Sequence, residues 1–308
     1  MSKYPQSPDA CMIQFRRAAE TESVLSPRTI SFYYETQHAV LAILENGKKE
    51  THPCRISEEE IRWLLYEEFP HRNFTFHTQR GYIFALHQLM KFCGNNIIDN
   101  MKLKWPKNNR PNADWLTFEE AEQLLSYKGD PHQKLAIHLM LCLGLRRGEC
   151  ITLCKDWIHG NYIQVLGKGP GGGKWRPVPF HKNTPQLLTD YYAYRSNEIA
   201  KAKKKRPAST IDPPELFITC QSGGRIGSFA SSGYGWDRRT IFPIRDEIGF
   251  HFSNHTLRRT FGRTMYYVGK TDIVTLARIM GHESTSETLK YIGVDLDEMS
   301  SAMANSPF

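Results

Sequence analysis

No apolar stretch in this chain of 308 residues approaches the roughly 20 residues that a membrane-spanning helix needs. The longest runs from Leu135 to Leu145 and is interrupted by His138, so a helical membrane protein is excluded and no membrane partner is expected. The opening MSKYPQSPDA has no apolar segment behind a basic start, which argues against a secretory signal. Cysteine is scarce: there are seven, an odd number, without close regular spacing. That does not fit a disulfide framework and leads us to expect a reducing, cytoplasmic setting. Charge of one sign is not strongly in excess either, with 40 Lys and Arg against 32 Asp and Glu giving +8. Such a surplus hints at a polyanionic partner without requiring one.

What is present is enough to build cores. With 40% hydrophobic and 23% charged residues a mainly disordered chain is excluded, and the length suits two domains. Two local basic runs stand out, Lys102, Lys104, Lys107 and Arg110, then Lys201, Lys203, Lys204, Lys205 and Arg206. Each is compatible with an ordinary solvated loop or helix end.

The first hundred residues read as four helices. One surrounds Met12 to Ala19. A second starts at Ser26-Pro27, an N-cap followed by proline at the first helical position. A capping box, Ser57-Glu58-Glu59-Glu60, opens the third. The fourth runs from Thr75 to Phe92, with Tyr82, Ile83, Leu86, Leu89 and Met90 on one stripe. Residues 101–114, proline-containing and basic without an acid before Asp114, read as a linker. Beyond it, Thr117-Phe118-Glu119-Glu120 is a second capping box that opens a helix to about Tyr127, and a longer apolar helix follows through Leu135 to Leu143. Gly144 then turns the chain into a short helix from Arg146. Alternation predicts strands over Tyr162–Leu166 and Trp175–Phe180. Helices are expected over Thr184–Lys204, Trp236–Ile248, His255–Val268, Asp272–Met280 and Glu287–Ile292, with Ser222–Gly235 a loop.

Several familiar motifs fail. Gly167, Gly169 and Gly172 spell G-x-G-x-x-G after a strand, but Lys174-Trp175-Arg176-Pro177-Val178-Pro179 cannot open the helix whose N-terminus would hold a pyrophosphate. A Walker A loop fails because Lys174 is followed by Trp175. Cys150 and Cys154, with Cys142 or His159 nearby, are better read as buried free thiols on an apolar helix than as zinc ligands.

Four short segments carry groups suited to phosphate chemistry. GLRRGE holds Arg146 and Glu149, three apart at a helix start. VLGKG holds Lys168 on a hairpin turn. HTLRRTF brings His255 and Arg258 onto one helix face. MGHESTSETLKYIGV places His282 in a bend and Tyr291 nine residues on. In order and spacing these segments resemble the tyrosine recombinase (phage-type integrase) family across residues 116–293, and the N-terminal helices are similar to that family's core-binding domain.

The resemblance implies a mainly α fold with a small antiparallel β-sheet (α+β). A helical, SAM-like core-binding domain would occupy residues 1–100, a basic linker 101–114 and a catalytic integrase domain 115–308, with a tail from about 294, the whole forming a C-shaped clamp on double-stranded DNA. It implies a site-specific recombinase in which Tyr291 attacks DNA to leave a 3′-phosphotyrosine and a free 5′-hydroxyl, and strands rejoin without ATP. Arg146 and Arg258 would bind the non-bridging oxygens and His282 would donate a hydrogen bond. His255 would assist proton transfer, Lys168 would protonate the leaving oxygen, and Glu149 would orient its neighbours. The turn is longer here than in the family, which makes Lys174 a rival general acid. Arg28, Arg80, Lys102, Lys104, Lys107 and Arg259 are candidates for DNA contact, with Arg259 and Arg263 equally open to simple solvation. Cofactors and metal are expected to be none, because two arginines can stabilise the phosphorane and no convincing Asp/Glu cluster for Mg²⁺ is present. A homotetramer docked through the tail, accessory proteins and a nucleoid location are further expectations. A type IB topoisomerase-like enzyme and a catalytically silent regulator of the same fold are the alternatives.

Overall fold

The structure, a computed structural model, describes residues 7–22, 25–105, 114–169, 173–208, 210–221, 223–229 and 233–293. Lys107, Arg110 and the tail 294–308 lie outside the described residues. The described residues divide into two compact units, one up to residue 105 and the other from residue 114 to 293.

The first unit is helical: α1 (Pro8–Glu22), α2 (Pro27–Asn46), α3 (Glu58–Trp63), α4 (Phe69–His71), α5 (Phe76–Phe92) and α6 (Ile97–Asn100). Its starts are set by local chemistry. Ser26 and Thr75 accept backbone N–H groups at the heads of α2 and α5, and Ser57 with Glu60 forms a reciprocal capping box at α3. Between α3 and α4 the chain makes a π-helical turn at Leu64–Glu68. The α2 helix packs on α1 and α5, burying Val40, Leu44, Leu64, Phe69, Leu86 and Leu89. The helix expected around Met12–Ala19 extends a turn further at its start, and α6 adds a short element to the expected four. Met101, Leu103 and Trp105 pack against this core, while Lys102 and Lys104 between them are exposed. The alternation of apolar and basic residues thus attaches the first part of the basic run to this unit.

The second unit comprises α7 (Phe118–Leu125), α8 (Pro131–Leu141), α9 (Arg147–Thr152), β1 (Tyr162–Leu166), β2 (Trp175–Pro179), α10 (Thr184–Lys205), β3 (Ile218–Cys220), β4 (Ile226–Ser228), α11 (Gly233–Ile248), α12 (Asn254–Arg263), α13 (Ile273–Met280) and α14 (Thr285–Ile292). Its strands form two separate two-stranded antiparallel sheets, β1–β2 and β3–β4. Because α8 is buried at every position from Leu135 to Leu141, it is the central helix, and α7, α9, α10, α11 and α12 pack around it. A separate apolar cluster of Phe261, Leu276, Met280 and Ile292 joins α12, α13 and α14.

Three expectations are corrected. The stretch Ser222–Gly235 is not all loop. Ile226–Ser228 pairs with Ile218–Cys220, which supplies the backbone hydrogen bonds that its weak side-chain pattern does not advertise. The helix expected over His255–Val268 ends at Arg263 and continues as a π-helical turn at Thr264–Val268. Cys154 is not on a helix, since α9 stops at Thr152 and Cys154 is extended.

Gly144 connects α8 to the segment bearing Arg146. Its φ is +69°, and a Cβ there would lie 2.3 Å from the Phe261 ring. Gly144→Ala is expected to cost at least about 1–3 kcal/mol and to lower the thermal midpoint. Gly160→Ala, where a Cβ would meet nothing within 4 Å, should leave it unchanged, and equal midpoints for both variants would contradict this assignment.

Candidate active site

Glu149 is the centre of the site. It sits three residues into the capping turn of α9, and its carboxylate accepts from the Arg146 backbone N–H at 2.8 Å and from the Arg146 guanidinium at 2.9 Å. From β2, Arg176 makes a two-pronged contact with the same carboxylate, 2.9 Å on each arm, and the Arg258 guanidinium lies 3.9 Å away. Burial alone would raise the Glu149 pKa. The hydrogen bonds and charge of Arg176, then the charge of Arg258 and the Arg146 N–H, outweigh it, and the pKa ends below the ordinary value. Three guanidiniums against one carboxylate leave two surplus positive charges, the requirement for holding an anion.

Backbone carbonyls fix the arginines. Arg146 donates to Met280 O and Gly281 O, both at 3.2 Å. Arg258, only 1% exposed, donates to Gly144 O and Met280 O. Burial, then the charge of Arg146, lowers its pKa to about 10, so it stays charged at neutral pH. Gly281 ends α13 with φ +64°, and a Cβ there would press on the Arg176 guanidinium at 2.9 Å.

Tyr291 on α14 faces the arginines. Its ring lies 5.7 Å from the Arg258 guanidinium carbon and 5.4 Å from that of Arg259, within the range of cation–π attraction. Burial raises the Tyr291 pKa above its ordinary value, although the charges of Arg258, Arg259 and Arg146 pull the other way. The phenol is therefore protonated at neutral pH. Its oxygen is 3.3 Å from His255 Nδ1. Desolvation, followed by the charges of Arg259, Arg258, Arg147 and Lys168, lowers the His255 pKa, which keeps that imidazole neutral and able to accept a proton. His282 Nε2 is 3.1 Å from Arg258 Nη2 and its Nδ1 is 2.9 Å from Thr288 Oγ1. With the arginine as donor, Nδ1 carries the proton. Burial, then the charges of Arg258, Arg146 and Arg176, pushes the His282 pKa down to about 3.

Arg146, Glu149, Lys168, His255, Arg258, His282 and Tyr291 thus converge within the second unit. Lys168 is exposed directly after β1 and acts on His255 through its charge. Lys174 is tied to Glu283 at 3.2 Å, both side chains being largely exposed. Arg259 lies beside the Tyr291 ring. Arg263 is half-buried and engaged within the protein: it donates to Ile292 O at 2.9 Å and Gly293 O at 3.3 Å and stacks on Trp115, closing the end of the helix that carries Tyr291. Arg28, Arg80, Lys102 and Lys104 are exposed in the first unit. Sequence reasoning missed Arg176. The signal was available, because strict alternation in β2 puts Arg176 on the buried face with Val178.

A sequence model described as the phage integrase family matches residues 114–298. A tyrosine recombinase XerC of Caldanaerobacter subterraneus subsp. tengcongensis is 26% identical over 231 residues, covering 74% of this chain and 60% of that protein. A tyrosine recombinase XerC of Pelobacter propionicus is 27% identical over 314 residues, covering 92% of this chain and 91% of that one. Among solved structures, the Tn1549 transposon integrase in complex with transposon right end DNA shares the fold at a TM-score of 0.64 and 15% identity, over 96% of this chain and 98% of that one.

Glu149→Gln removes the charge that three buried or half-buried arginines share, and is expected to destabilise the second unit by about 3–5 kcal/mol in denaturant unfolding. Because the Glu149 pKa is depressed on folding, the wild-type advantage is full above the unfolded carboxylate pKa and is lost as pH falls through the lower folded value. The two proteins should converge in stability under acid; a gap constant down to the lowest pH would contradict the ion-pair account.

Proposed function

This chain belongs to the phage integrase family, and from that premise we propose that it is a site-specific DNA recombinase that breaks and rejoins duplex DNA through Tyr291. The observation that carries the reading is the placement of a phenol against a floor of arginines with surplus positive charge, with a neutral imidazole 3.3 Å from its oxygen.

The chemistry follows from the barriers. A phenol with an ordinary pKa near 10 is ionised in about one molecule in a thousand at pH 7, a cost of roughly 4 kcal/mol, and burial of Tyr291 adds to it. His255 Nδ1 takes the phenolic proton as the Tyr291 oxygen attacks phosphorus. Arg146 and Arg258 stabilise the charge on the non-bridging oxygens of the phosphorane. The P–O5′ bond breaks, Lys168 delivers a proton to the departing 5′ oxygen, and the 3′-phosphotyrosine keeps the ester for rejoining. Lys174, held by Glu283, is the less suited of the two lysines while that ion pair persists. His282 accepts from Arg258 at Nε2 and carries its proton on Nδ1, which keeps Arg258 in place; to donate to the phosphate it moves that proton to Nε2 once Arg258 turns to the DNA.

Duplex DNA is the substrate in this reading, with Arg28, Arg80, Lys102, Lys104, Lys107 and Arg259 as backbone contacts. Assembly of four protomers on paired sites through residues 294–308, help from accessory proteins, and action in the cytoplasm at the nucleoid extend the same proposal. Among the described residues no helix is long and apolar enough to cross a membrane.

Incubation with a DNA target nicked just 3′ of the cleavage site, so that the short fragment bearing the new 5′-hydroxyl diffuses away, should trap a covalent protein–DNA adduct. Tyr291→Phe is expected to abolish it while retaining DNA binding. An adduct that survives Tyr291→Phe would assign the nucleophile elsewhere, and DNA binding with no adduct in wild type would leave a silent regulator. Recombination between two sites, rather than relaxation of supercoils alone, separates the recombinase from a topoisomerase-like enzyme.

A further inference from the structure

Apart from the arginine floor, the second unit holds another convergence of ligating side chains. His138 and Cys142 lie four residues apart at the end of α8 and share one face, and His181 follows β2 just ahead of α10. Each offers one ligand atom, and all three atoms lie within 4.8 Å of one another, the one such group among the described residues. His138 is buried, with Cys142 and His181 partly so, and all three line a cavity of about 340 Å³. The two imidazole rings lie with centroids 5.4 Å apart and planes tilted by 59°, and Thr184 Oγ1, 2.9 Å from His138 Nε2, fixes the orientation of the His138 ring. Cys150 and Cys154, considered from the sequence as partners for Cys142, do not join this group.

We propose that His138, Cys142 and His181 form a Zn²⁺ site, with its fourth position turned to the adjoining cavity. The donor set is right for a borderline-soft ion and wrong for Mg²⁺, since it pairs two imidazoles with a thiolate and offers no carboxylate. Bonds of about 2.0–2.3 Å place tetrahedral ligands about 3.5 Å apart, so closure by about 1 Å from the present spacing suffices. Both imidazoles enter neutral, as burial pulls the pKa of His138 down to about 4 and lowers that of His181. Burial holds the Cys142 thiol up at about 11, so binding exchanges its S–H bond for an S–Zn bond and releases one proton to solvent. The hydrogen bond of 3.4 Å from the Asn183 N–H to His181 Nδ1 gives way if Nδ1 must carry the proton. Lys134 also lines the cavity and opposes the cation weakly. The ion would tie the end of α8, just before Gly144 and Arg146, to the exit of β2, which carries Arg176. It would brace two of the segments that build the arginine cluster without touching the scissile phosphate.

The full chain, stripped of metal, is titrated with Zn²⁺ against a chromophoric chelator, and separately with Co²⁺ as a spectroscopic probe. Expected are one tight equivalent, a rise in Tm of about 5–10 °C at a hundredfold excess over Kd, and a thiolate-to-Co²⁺ absorption in the near ultraviolet. Cys142→Ser should lose both the tight equivalent and the absorption, and His181→Gln should weaken binding at least about tenfold. Far-ultraviolet circular dichroism establishes that both variants are folded. The absorption distinguishes this site from His255 and His282, which have no cysteine partner. Persistence of the tight equivalent or of the absorption in Cys142→Ser, unchanged affinity in His181→Gln, or no tight binding by wild type would overturn the proposal.

Discussion

One buried carboxylate organises the catalytic half of this protein. Glu149 is 5% exposed and draws together guanidiniums from a helix cap, a β-strand and a second helix, each of which would repel the others without it. A charge buried at this depth is costly unless paired and hydrogen-bonded, and Glu149 is both. The arrangement is therefore a constraint as much as a stabilising contact. Gly144, Met280 and Gly281 present their carbonyls to the arginines, and Gly144 and Gly281 do so from left-handed backbone that a side chain would block. The anion site is thus built before any anion arrives, and preorganised donors of this kind need little rearrangement when charge develops.

Tyr291 is placed by a second layer of the same kind. Arg263 holds the C-terminal carbonyls of α14, and the apolar cluster of Phe261, Leu276, Met280 and Ile292 sets that helix against α12 and α13. Tyr291 is consequently both desolvated and surrounded by positive charge. The first effect keeps the phenol protonated, and the second favours the phenolate once a base removes the proton. In the proposed reaction that balance keeps the phenol unreactive until a base and a bound phosphate are both in place.

Much of this was legible in the sequence because it is encoded locally. Ser57 with Glu60 and Thr117 with Glu120 mark helix starts through side-chain caps, the first hairpin announces itself by alternation, and the order of Arg146, Lys168, His255, Arg258, His282 and Tyr291 carries the family resemblance. What escaped was set by tertiary contact. The strand at Ile226–Ser228 owes its shape to its pairing partner rather than to its own residues. Arg263 looks like a surface group until α14 is seen to end against it. The convergence of His138 and Cys142 with His181 spans two elements separated by the whole first hairpin, which spacing along the chain cannot reveal. Arg176 is the intermediate case, readable from its inward register but given meaning only by Glu149 opposite it.

The account rests on the arginines acting by neutralising the charge of a phosphate. The most direct measurement is the rate of covalent adduct formation by Arg146→Ala on two substrates, one with an ordinary scissile phosphodiester and one in which a methyl group replaces a non-bridging oxygen and leaves that linkage neutral. Loss of one such donor should slow the variant by about 10²–10³-fold on the phosphodiester, with most of that deficit recovered on the neutral methylphosphonate. An equal deficit on both substrates would contradict the account and reduce Arg146 to a structural partner of Glu149.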